Sequence, residues 1–192
     1  MLGLDLIPPS TLSDGVVTLR PWRPADAAAI SEAARSSVAT VGPWMDWCHA
    51  AYSQADADAW IEKCAADWAR QDAYEYGIFD PSSGGVLGGV GLNQINRAHR
   101  FGNLGYWVRS SATRSGIASR AARLVARFGL TAAELGRIEI LTATNNLASQ
   151  RVADKIGATF EGVLRDRLLV RGQRIPARLY SLVRQDLLGS LA

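Results

Sequence analysis

The order of apolar and polar residues along the chain predicts a mixed α/β domain. Short apolar or alternating runs bounded by turn residues are typical of strands, and apolar residues spaced three or four apart are typical of helices. These patterns predict strands at 16–22, 75–80, 86–96, 101–109, 137–143, 159–170 and 175–187. They predict helices at 27–36, 53–71, 117–130 and 147–156. Residues 1–14 are expected to form an irregular arm that ends in a turn.

Several single residues refine this order. Asp26 precedes the first predicted helix and is expected to cap it. Gly157 follows the last predicted helix and is expected to end it. Gly88, Gly89 and Gly91 lie within one predicted strand, where several glycines often mark a close approach of another part of the chain.

The chain between residues 103 and 130 joins a strand to a helix through a turn of small residues, 110–116. The first N–H groups of a helix have no partner within the helix, and the helix dipole places about half a positive charge there. Phosphate groups bind such helix ends, and Gly116 followed by Ala118 leaves the backbone open to close approach. An ordinary strand–helix connection with a solvated turn explains these residues equally well.

Composition and charge exclude several classes of protein. A length of 192 residues lies within the ~100–200 typical of one domain, so a single domain is expected over residues 1–192. Lys and Arg exceed Asp and Glu by only three, too small an excess to indicate nucleic-acid binding. Cys48, Cys64, His49 and His99 lack the spacing of a zinc site, so no metal is expected.

The same sequence gives an expectation about compartment. Two cysteines without a disulfide pattern fit a reducing environment. The first twelve residues have no basic region before an apolar core, so they do not read as a secretory signal. No apolar run approaches the ~20 residues that a membrane span needs. A cytoplasmic protein that contacts no membrane is therefore expected.

The segment 105–118 resembles the acetyl-CoA site of the GNAT acyltransferase superfamily. That site has Gln or Arg, two residues, Gly, one residue, and Gly or Ala; here Gly116 and Ala118 match, whereas Thr113 stands at the Gln/Arg position beside Arg114. The preceding Gly105-Tyr106-Trp107-Val108 resembles a strand of the RimJ/RimL-like branch, the ribosomal-protein N-terminal acetyltransferases. The likeness extends from about residue 16 to residue 184.

This resemblance implies the GNAT fold and a set of acetyl-CoA contacts. The expected fold is a central mixed, mostly antiparallel sheet flanked by helices, with splayed central strands that hold acetyl-CoA. Arg120 either belongs to a solvated helix face or contacts the 3′-phosphate of CoA. The residues assigned to acetyl-CoA are Trp107, Val108, Arg114, Ser115, Gly116, Ile117, Ala118 and Ser119. A backbone N–H of Trp107 or Val108 would stabilise the oxyanion of the tetrahedral intermediate.

A second segment resembles another signature of the same branch. Asn146 and Ser149 match its Asn-x-x-Ser start, and Phe160-Glu161-Gly162 matches the strand start that follows its helix. The resemblance gives Ser149 the role of protonating the CoA thiolate, whose thiol has a pKa of ~8.5, and lets Asn146 hold the pantetheine amides. A serine early in a helix that bonds its own backbone is the structural alternative for Ser149.

The general base is not apparent at its usual place. Some enzymes of this branch carry Glu in the strand after the second signature, where this chain has Leu168. Asp166, between Arg165 and Arg167, is expected to form a surface ion pair. The reaction would then use water or another carboxylate such as Glu75. An α-amine, with a pKa of ~7.7–8.0, needs less help than a lysine at ~10.4, so an α-amine acceptor is favoured.

Two tryptophans, Trp44 and Trp47, lie in the predicted loop between the first two helices. They either close the core as a hydrophobic plug or line the acceptor groove, and the two roles are compatible. In RimJ/RimL-like enzymes the segment after the first helix lines that groove.

The sequence thus predicts an acetyl-CoA-dependent N-acetyltransferase acting on a primary amine, with a protein N-terminal α-amine as the leading acceptor. Alternatives that stay open are an acetyltransferase for a small amine (antibiotic, polyamine or amino acid), a CoA-binding module without turnover, and an RNA- or ribosome-associated protein that uses its arginines. A homodimer is compatible with the resemblance. No direct contact with nucleic acid is expected of the enzyme.

Overall fold

The computed structural model describes residues 11–188. Its strands are β1 (Leu12–Ser13), β2 (Thr18–Pro21), β3 (Tyr74–Phe79), β4 (Val86–Asn96), β5 (Phe101–Val108), β6 (Arg137–Ala143), β7 (Thr159–Val170) and β8 (Gln173–Val183). Its α-helices are α1 (Ala27–Arg35), α2 (Gln54–Arg70), α3 (Ile117–Thr131), α4 (Leu147–Lys155) and α5 (Arg184–Leu188). All strands form one sheet in the order β1-β2-β3-β4-β5-β6-β8-β7.

The pairing of β5 with β6 opens a cleft in the middle of this sheet. These two strands are parallel, whereas every other neighbouring pair in the described sheet is antiparallel. They pair only over Phe101–Asn103 and Arg137–Glu139, so they separate after residue 103. The second half of β5 therefore has a partner on its β4 side and an open edge toward β6. This is the splayed arrangement that the sequence resemblance predicted.

The two faces of the sheet are covered by different helices. Tyr76 and Leu92, whose side chains point to one face, contact α3 through Phe128 and Gly129. Successive strand residues alternate in direction, so the residues between them point to the opposite face. That face carries a second core cluster built from α1, α2, Trp22 and the ends of β3 and β4.

The seven predicted strands and four predicted helices are all present, with two changes near the ends of the described chain. Residues 12–13, expected in an irregular arm, form β1 by pairing with residues 18–19, while residues 1–10 lie outside the described part. The last strand was predicted to reach residue 187 but ends at Val183, whose N–H donates to Asp186 Oδ2 at 2.8 Å, and α5 follows. Strand propensity could not reveal this local cap.

The predicted cap of the first helix is also wrong. The Asp26 side chain does not accept a hydrogen bond from α1. Its two oxygens instead accept hydrogen bonds from the Arg20 guanidinium at 2.7 and 2.8 Å, and one of them accepts from the Arg23 N–H at 2.8 Å. Asp26 therefore joins β2 to the short 3₁₀ turn before α1, because a nearby guanidinium binds a carboxylate more strongly than a backbone N–H does.

Candidate active site

The open edge of β5 presents backbone groups to the central cleft. The Arg109 N–H donates to the Leu87 carbonyl at 2.9 Å, beside the pair formed by Gly88 and Val108. In an antiparallel ladder, directly opposed pairs alternate between bonded and non-bonded, so Val108 belongs to a pair without mutual hydrogen bonds. Its N–H and C=O point away from β4 and into the cleft. Of the two predicted oxyanion donors, Val108 thus has the free N–H, and the Trp107 backbone faces β4.

The first turn of α3 has unsatisfied N–H groups at the mouth of this cleft. Gly116 precedes the helix with φ +78°, and the first hydrogen bond within the helix runs from the Arg120 N–H to the Gly116 carbonyl at 3.1 Å. No side chain of the described residues caps this end, and its first turn contains no acidic residue. The N–H groups of Ile117, Ala118 and Ser119 are therefore available to an anion.

The side chains around this helix start have different exposures. Arg114 and Ser115 are exposed in the turn, whereas the side chains of Ile117 and Ser119 are buried, so these two can contribute only backbone groups. The sequence did not reveal Lys155, the last residue of α4. Its Nζ lies 3.7 Å from the position that a Cβ at residue 116 would occupy. An ammonium at this distance adds positive charge to the anion site.

Arg120 is paired within the protein. Its Nη1 lies 2.8 Å from Asp14 Oδ2, and this ion pair ties the start of α3 to the turn before β2. The hydrogen bonds to the Val16 and Val17 N–H groups and the Arg120 guanidinium together lower the pKa of Asp14 against the opposing effect of burial. A contact of Arg120 with the CoA 3′-phosphate would have to compete with this pair.

Ser149 lies at the start of α4 and faces β5. The Asn146 side chain caps this helix, since its Oδ1 accepts from the Ser149 N–H at 3.1 Å. The Ser149 Oγ lies 3.1 Å from the Tyr106 Oη, which also donates to the Ser149 carbonyl at 3.0 Å. Burial raises the pKa of Tyr106 to about 12, so this phenol keeps its proton at neutral pH. Two linked hydroxyls therefore stand beside the cleft.

A cavity of about 500 Å³ lies on the other face of β5. Trp47 packs edge-on against Trp107 and Tyr52, with ring centroids 5.2 and 5.7 Å apart. Trp47 therefore packs on the second core cluster, as predicted, and lines the cavity, whereas Trp44 is not part of the lining. That this cavity is the acceptor groove stays a prediction. The aromatic residues of the lining are Trp22, Trp47, Tyr52, Trp60, Tyr106 and Trp107.

Glu75 is a half-buried carboxylate that reaches this cavity from β3. Burial raises its pKa to about 7, although a hydrogen bond from Asn93 Nδ2 to its Oε1, 3.0 Å long, acts in the opposite direction. Asn93 is in turn oriented by Asn103, whose Nδ2 donates to Asn93 Oδ1 at 3.0 Å. A carboxylate that titrates near neutral pH beside a substrate-sized cavity can act as an acid or a base.

Known proteins identify the family. A family model described as an acetyltransferase (GNAT) domain matches residues 17–159. The chain belongs to the GNAT acetyltransferases. It is an acetyl-CoA-dependent N-acetyltransferase, and its resemblance to the RimJ/RimL-like branch is confirmed.

Three relatives are similar to this acetyltransferase over nearly their whole length. The candidate ribosomal N-acetyltransferase YdaF of Bacillus subtilis (strain 168) is 29% identical over 175 residues, 88% of this chain and 92% of YdaF. A candidate ribosomal-protein-serine acetyltransferase from Vibrio cholerae is 27% identical, with a TM-score of 0.81 and coverage of 92% and 98%. Mycobacterium smegmatis RimJ, solved with CoA-disulfide, is 29% identical, with a TM-score of 0.82 and coverage of 90% and 84%.

The residues of this acetyltransferase fit acetyl-CoA as acyl donor. The cleft beside Val108 offers free backbone groups to an extended amide chain, and the α3 start offers N–H groups and the Lys155 ammonium to phosphate. Within residues 11–188, no three His, Cys, Asp or Glu side chains come together as a metal site. No helix in that same range is long and apolar enough to cross a membrane.

The strand that carries the usual Glu of the branch has no carboxylate in a comparable position. Leu168 lies in β7 opposite Ile175. Asp166 is exposed at an irregularity of the same strand, with φ +50°, and no ion pair of Asp166 occurs among the described residues, so the predicted ion pair is wrong. The register of β7 with β8 shifts between Leu164 and Leu168, an irregularity that residue spacing alone cannot reveal.

Proposed function

We propose that this acetyltransferase modifies the α-amine of a protein N-terminus, as in the ribosomal-protein type of the family. The observation that carries the proposal is the aromatic cavity, which meets the open edge of β5 through Gly105, Tyr106 and Trp107. Its volume lies within the ~300–1,000 Å³ typical of ligand sites, and it combines apolar walls with a few polar groups. The three relatives described above carry names of the ribosomal-protein type or of RimJ.

The donor half of the reaction would use backbone groups. We assign the pyrophosphate of acetyl-CoA to the N–H groups of residues 116–119, with Arg114, Ser115 and Lys155 at the rim. The pantetheine arm would lie along the open edge of β5 and contact Asn146. The Val108 N–H would bind the oxyanion, a contact whose loss in other enzymes typically costs ~10²–10³ in rate.

The leaving group would receive its proton from the hydroxyls on α4 and β5. Ser149 and Tyr106 lie within hydrogen-bond distance of each other, so a proton given by Ser149 can be replaced by Tyr106. The sequence analysis considered Ser149 alone. Proton donation matters as the C–S bond breaks, so these hydroxyls should affect kcat more than CoA affinity.

A small amine is the second candidate acceptor, and one observation favours it. Asp56 and Glu75 both line the cavity, so it offers two carboxylates to a compact molecule with two amino groups. A peptide end presents a single amino group at the same place.

An acetyl-transfer screen with thiol release as readout tests the proposal. The panel contains peptides with different N-terminal residues, the same peptides blocked by N-terminal acetylation, a blocked peptide with an internal lysine, and small mono- and diamines. We expect turnover with free N-termini and none with blocked ones. Turnover confined to diamines would overturn the peptide assignment, and turnover of the blocked lysine peptide would overturn the α-amine preference.

A further inference from the structure

Across the sheet, only glycines lie between Glu75 and the open edge of β5. In the sheet, Glu75 pairs with Gly91, and Gly91 pairs with Gly105. A Cβ at residue 91 would lie 2.0 Å from Glu75 Oε2, so the carboxylate lies directly over the backbone of β4. At residue 105 a Cβ would lie 3.6 Å from Asn93 Nδ2, and no closer neighbour stands there. Of the three glycines predicted to mark a close approach, Gly91 therefore makes room for a carboxylate, and Gly88 and Gly89 make room for Trp107.

We propose that Glu75 is the general base of the acetyl transfer and that the acceptor amine lies over Gly105, between this carboxylate and the open edge of β5. The proposal rests on the proposed function. Strands lie about 4.8 Å apart, so the open edge is roughly one strand spacing beyond a carboxylate placed over β4. This gap accommodates one amine, or an amine and a water, which is the reach of general-base catalysis.

The reaction balances with Glu75 in this role. The acceptor reacts with its nitrogen unprotonated, and the nitrogen lone pair forms a C–N bond to the thioester carbonyl carbon. The nitrogen passes one proton to the Glu75 carboxylate, the C–S bond breaks, and the CoA sulfur takes a proton from the Ser149–Tyr106 pair. Glu75 then releases its proton to solvent, and the hydroxyl pair regains one.

The surroundings of Glu75 fit a base that works near neutral pH. Burial disfavours its ionised form, and the hydrogen bond from Asn93 partly restores it. From α2, the Lys63 ammonium favours the carboxylate and Asp67 opposes it. The other titratable groups around it are Cys64 on α2 and four further cavity residues, His49, Tyr52, Asp56 and Tyr106. Asn93 is thus a positioning residue, held in its donating orientation by Asn103.

The test replaces Glu75 by glutamine, which keeps an acceptor for Asn93 and therefore the local hydrogen bond. With the best acceptor of the screen, we expect Glu75→Gln to lower kcat by about 10²–10⁴ with unchanged CoA affinity. The wild-type rate should rise with an apparent pKa near 7 that Glu75→Gln lacks; only the acceptor's own pKa should remain in the variant. Glu62→Gln, an exposed residue of α2 outside the cavity, is the matched control and should behave as wild type.

A second variant separates catalysis from structure. Asn93→Ala removes the hydrogen bond that favours the ionised carboxylate, so the rising limb should move to higher pH while the plateau rate is largely kept. If Glu75 only packs in the fold and takes no part in catalysis, the rate of Asn93→Ala should rise at the same pH as that of wild type.

The outcomes distinguish the two proposals. Turnover in Glu75→Gln within about threefold of wild type, with the same rising limb, would overturn the base assignment and leave the proposed function standing. If Glu75→Gln still prefers peptides with free N-termini, but its rate no longer rises with a pKa near 7, both proposals would be supported. A wild-type protein that acetylates no amine in the screen would overturn both.

Discussion

The two proposed sites beside β5 are built in different ways. On the donor side, the groups assigned to phosphate come from six consecutive residues, 114–119, which act mostly through backbone N–H groups, and from Lys155 at their rim. On the acceptor side, the cavity is lined by residues from α1, α2, β3, β4, β5 and the loop between α1 and α2, together with Trp22, which follows β2. A short sequence motif can reveal the donor site because neighbouring residues at one helix start form it. The acceptor cavity is formed by residues from separate segments, so no local sequence pattern indicates it.

The two sides also differ in their electrostatics. The donor turn is exposed, so its cationic side chains remain solvated, and keeping them charged costs little free energy. The acceptor side holds a carboxylate whose pKa burial raises to about 7. Its ionised form opposes folding, so the proposed general base on this side would have a stability cost that the donor side avoids. The following predictions, from the largest expected effect to the smallest, test this contrast.

Gly116→Val should abolish CoA binding. A β-branched residue at φ +78° is strained by roughly 1–2 kcal/mol, and its side chain would block the approach of phosphate to the N–H groups. Wild type at 100 times the CoA dissociation constant should gain about 2.7 kcal/mol, which raises Tm by roughly 5–10 °C, and the variant should show no shift. Gly157→Val is the control, because Gly157 has φ +84° and no neighbour within 4 Å of an added Cβ. It should share the strain and still bind CoA.

Ser149→Ala should lower kcat by about 10–10³ and leave CoA affinity nearly unchanged. The helix cap is preserved because Asn146 accepts from the backbone N–H of this residue. Tyr106→Phe should have a smaller effect, and the double variant should lose less than the product of the two, because the hydroxyls act as a pair. Steady-state kinetics measure all three. Full activity in both single variants would assign proton donation to water.

Glu75→Gln should stabilise the protein above pH 7. The folded-state pKa of Glu75 is raised, so its stabilising contribution is present below pH ~4.5 and is lost as pH rises through about 7. Glutamine cannot ionise, and the variant should exceed wild type by on the order of 1–3 kcal/mol at pH 8 with little difference at pH 5. Urea unfolding at the two pH values measures this. Equal stability at pH 8 would show that Glu75 is well solvated in the folded protein.

Arg171→Ala should raise KM for the acceptor a few-fold without changing CoA affinity. Arg171 lies at the tip of the β7–β8 hairpin, and its Nη2 donates to the Gly42 carbonyl at 2.9 Å. The loop that it holds carries Trp47, one wall of the cavity. Arg174→Ala, a hairpin change whose guanidinium contacts only the nearby Asp166 carbonyl among described residues, is the control. An effect on CoA affinity instead would show that the hairpin serves the donor side.

The sequence predicted most of the fold because its signals are local. Period-two and helical patterns placed every long element of the described chain within a few residues of its observed bounds. Errors occurred where one polar side chain decided the backbone path. Asp26 bonds to Arg20 rather than to α1, and Asp186 ends β8 early.

The residues of the candidate site also fall into a local group, which the sequence revealed, and a group of distant residues, which it did not. The helix start at Gly116 and the Asn146–Ser149 segment were recognisable because their spacing is read along one stretch of chain. The Tyr106–Ser149 contact joins residues 43 positions apart, and Glu75 and Asn93 lie 18 apart. Lys155 approaches Gly116 from the end of another helix. Spacing alone could not indicate any of these contacts.

The sequence by itself thus determined the order of the long elements and the family resemblance, and it predicted the helix-start anion site, because each depends on neighbours within a few residues. Only the tertiary structure decided where β5 and β6 separate, which N–H of β5 is free, and which carboxylate reaches the cavity. Those features arise from strand register and from the burial of charge. Both depend on segments far apart in the chain, and burial is the largest cause of the raised pKa of Glu75.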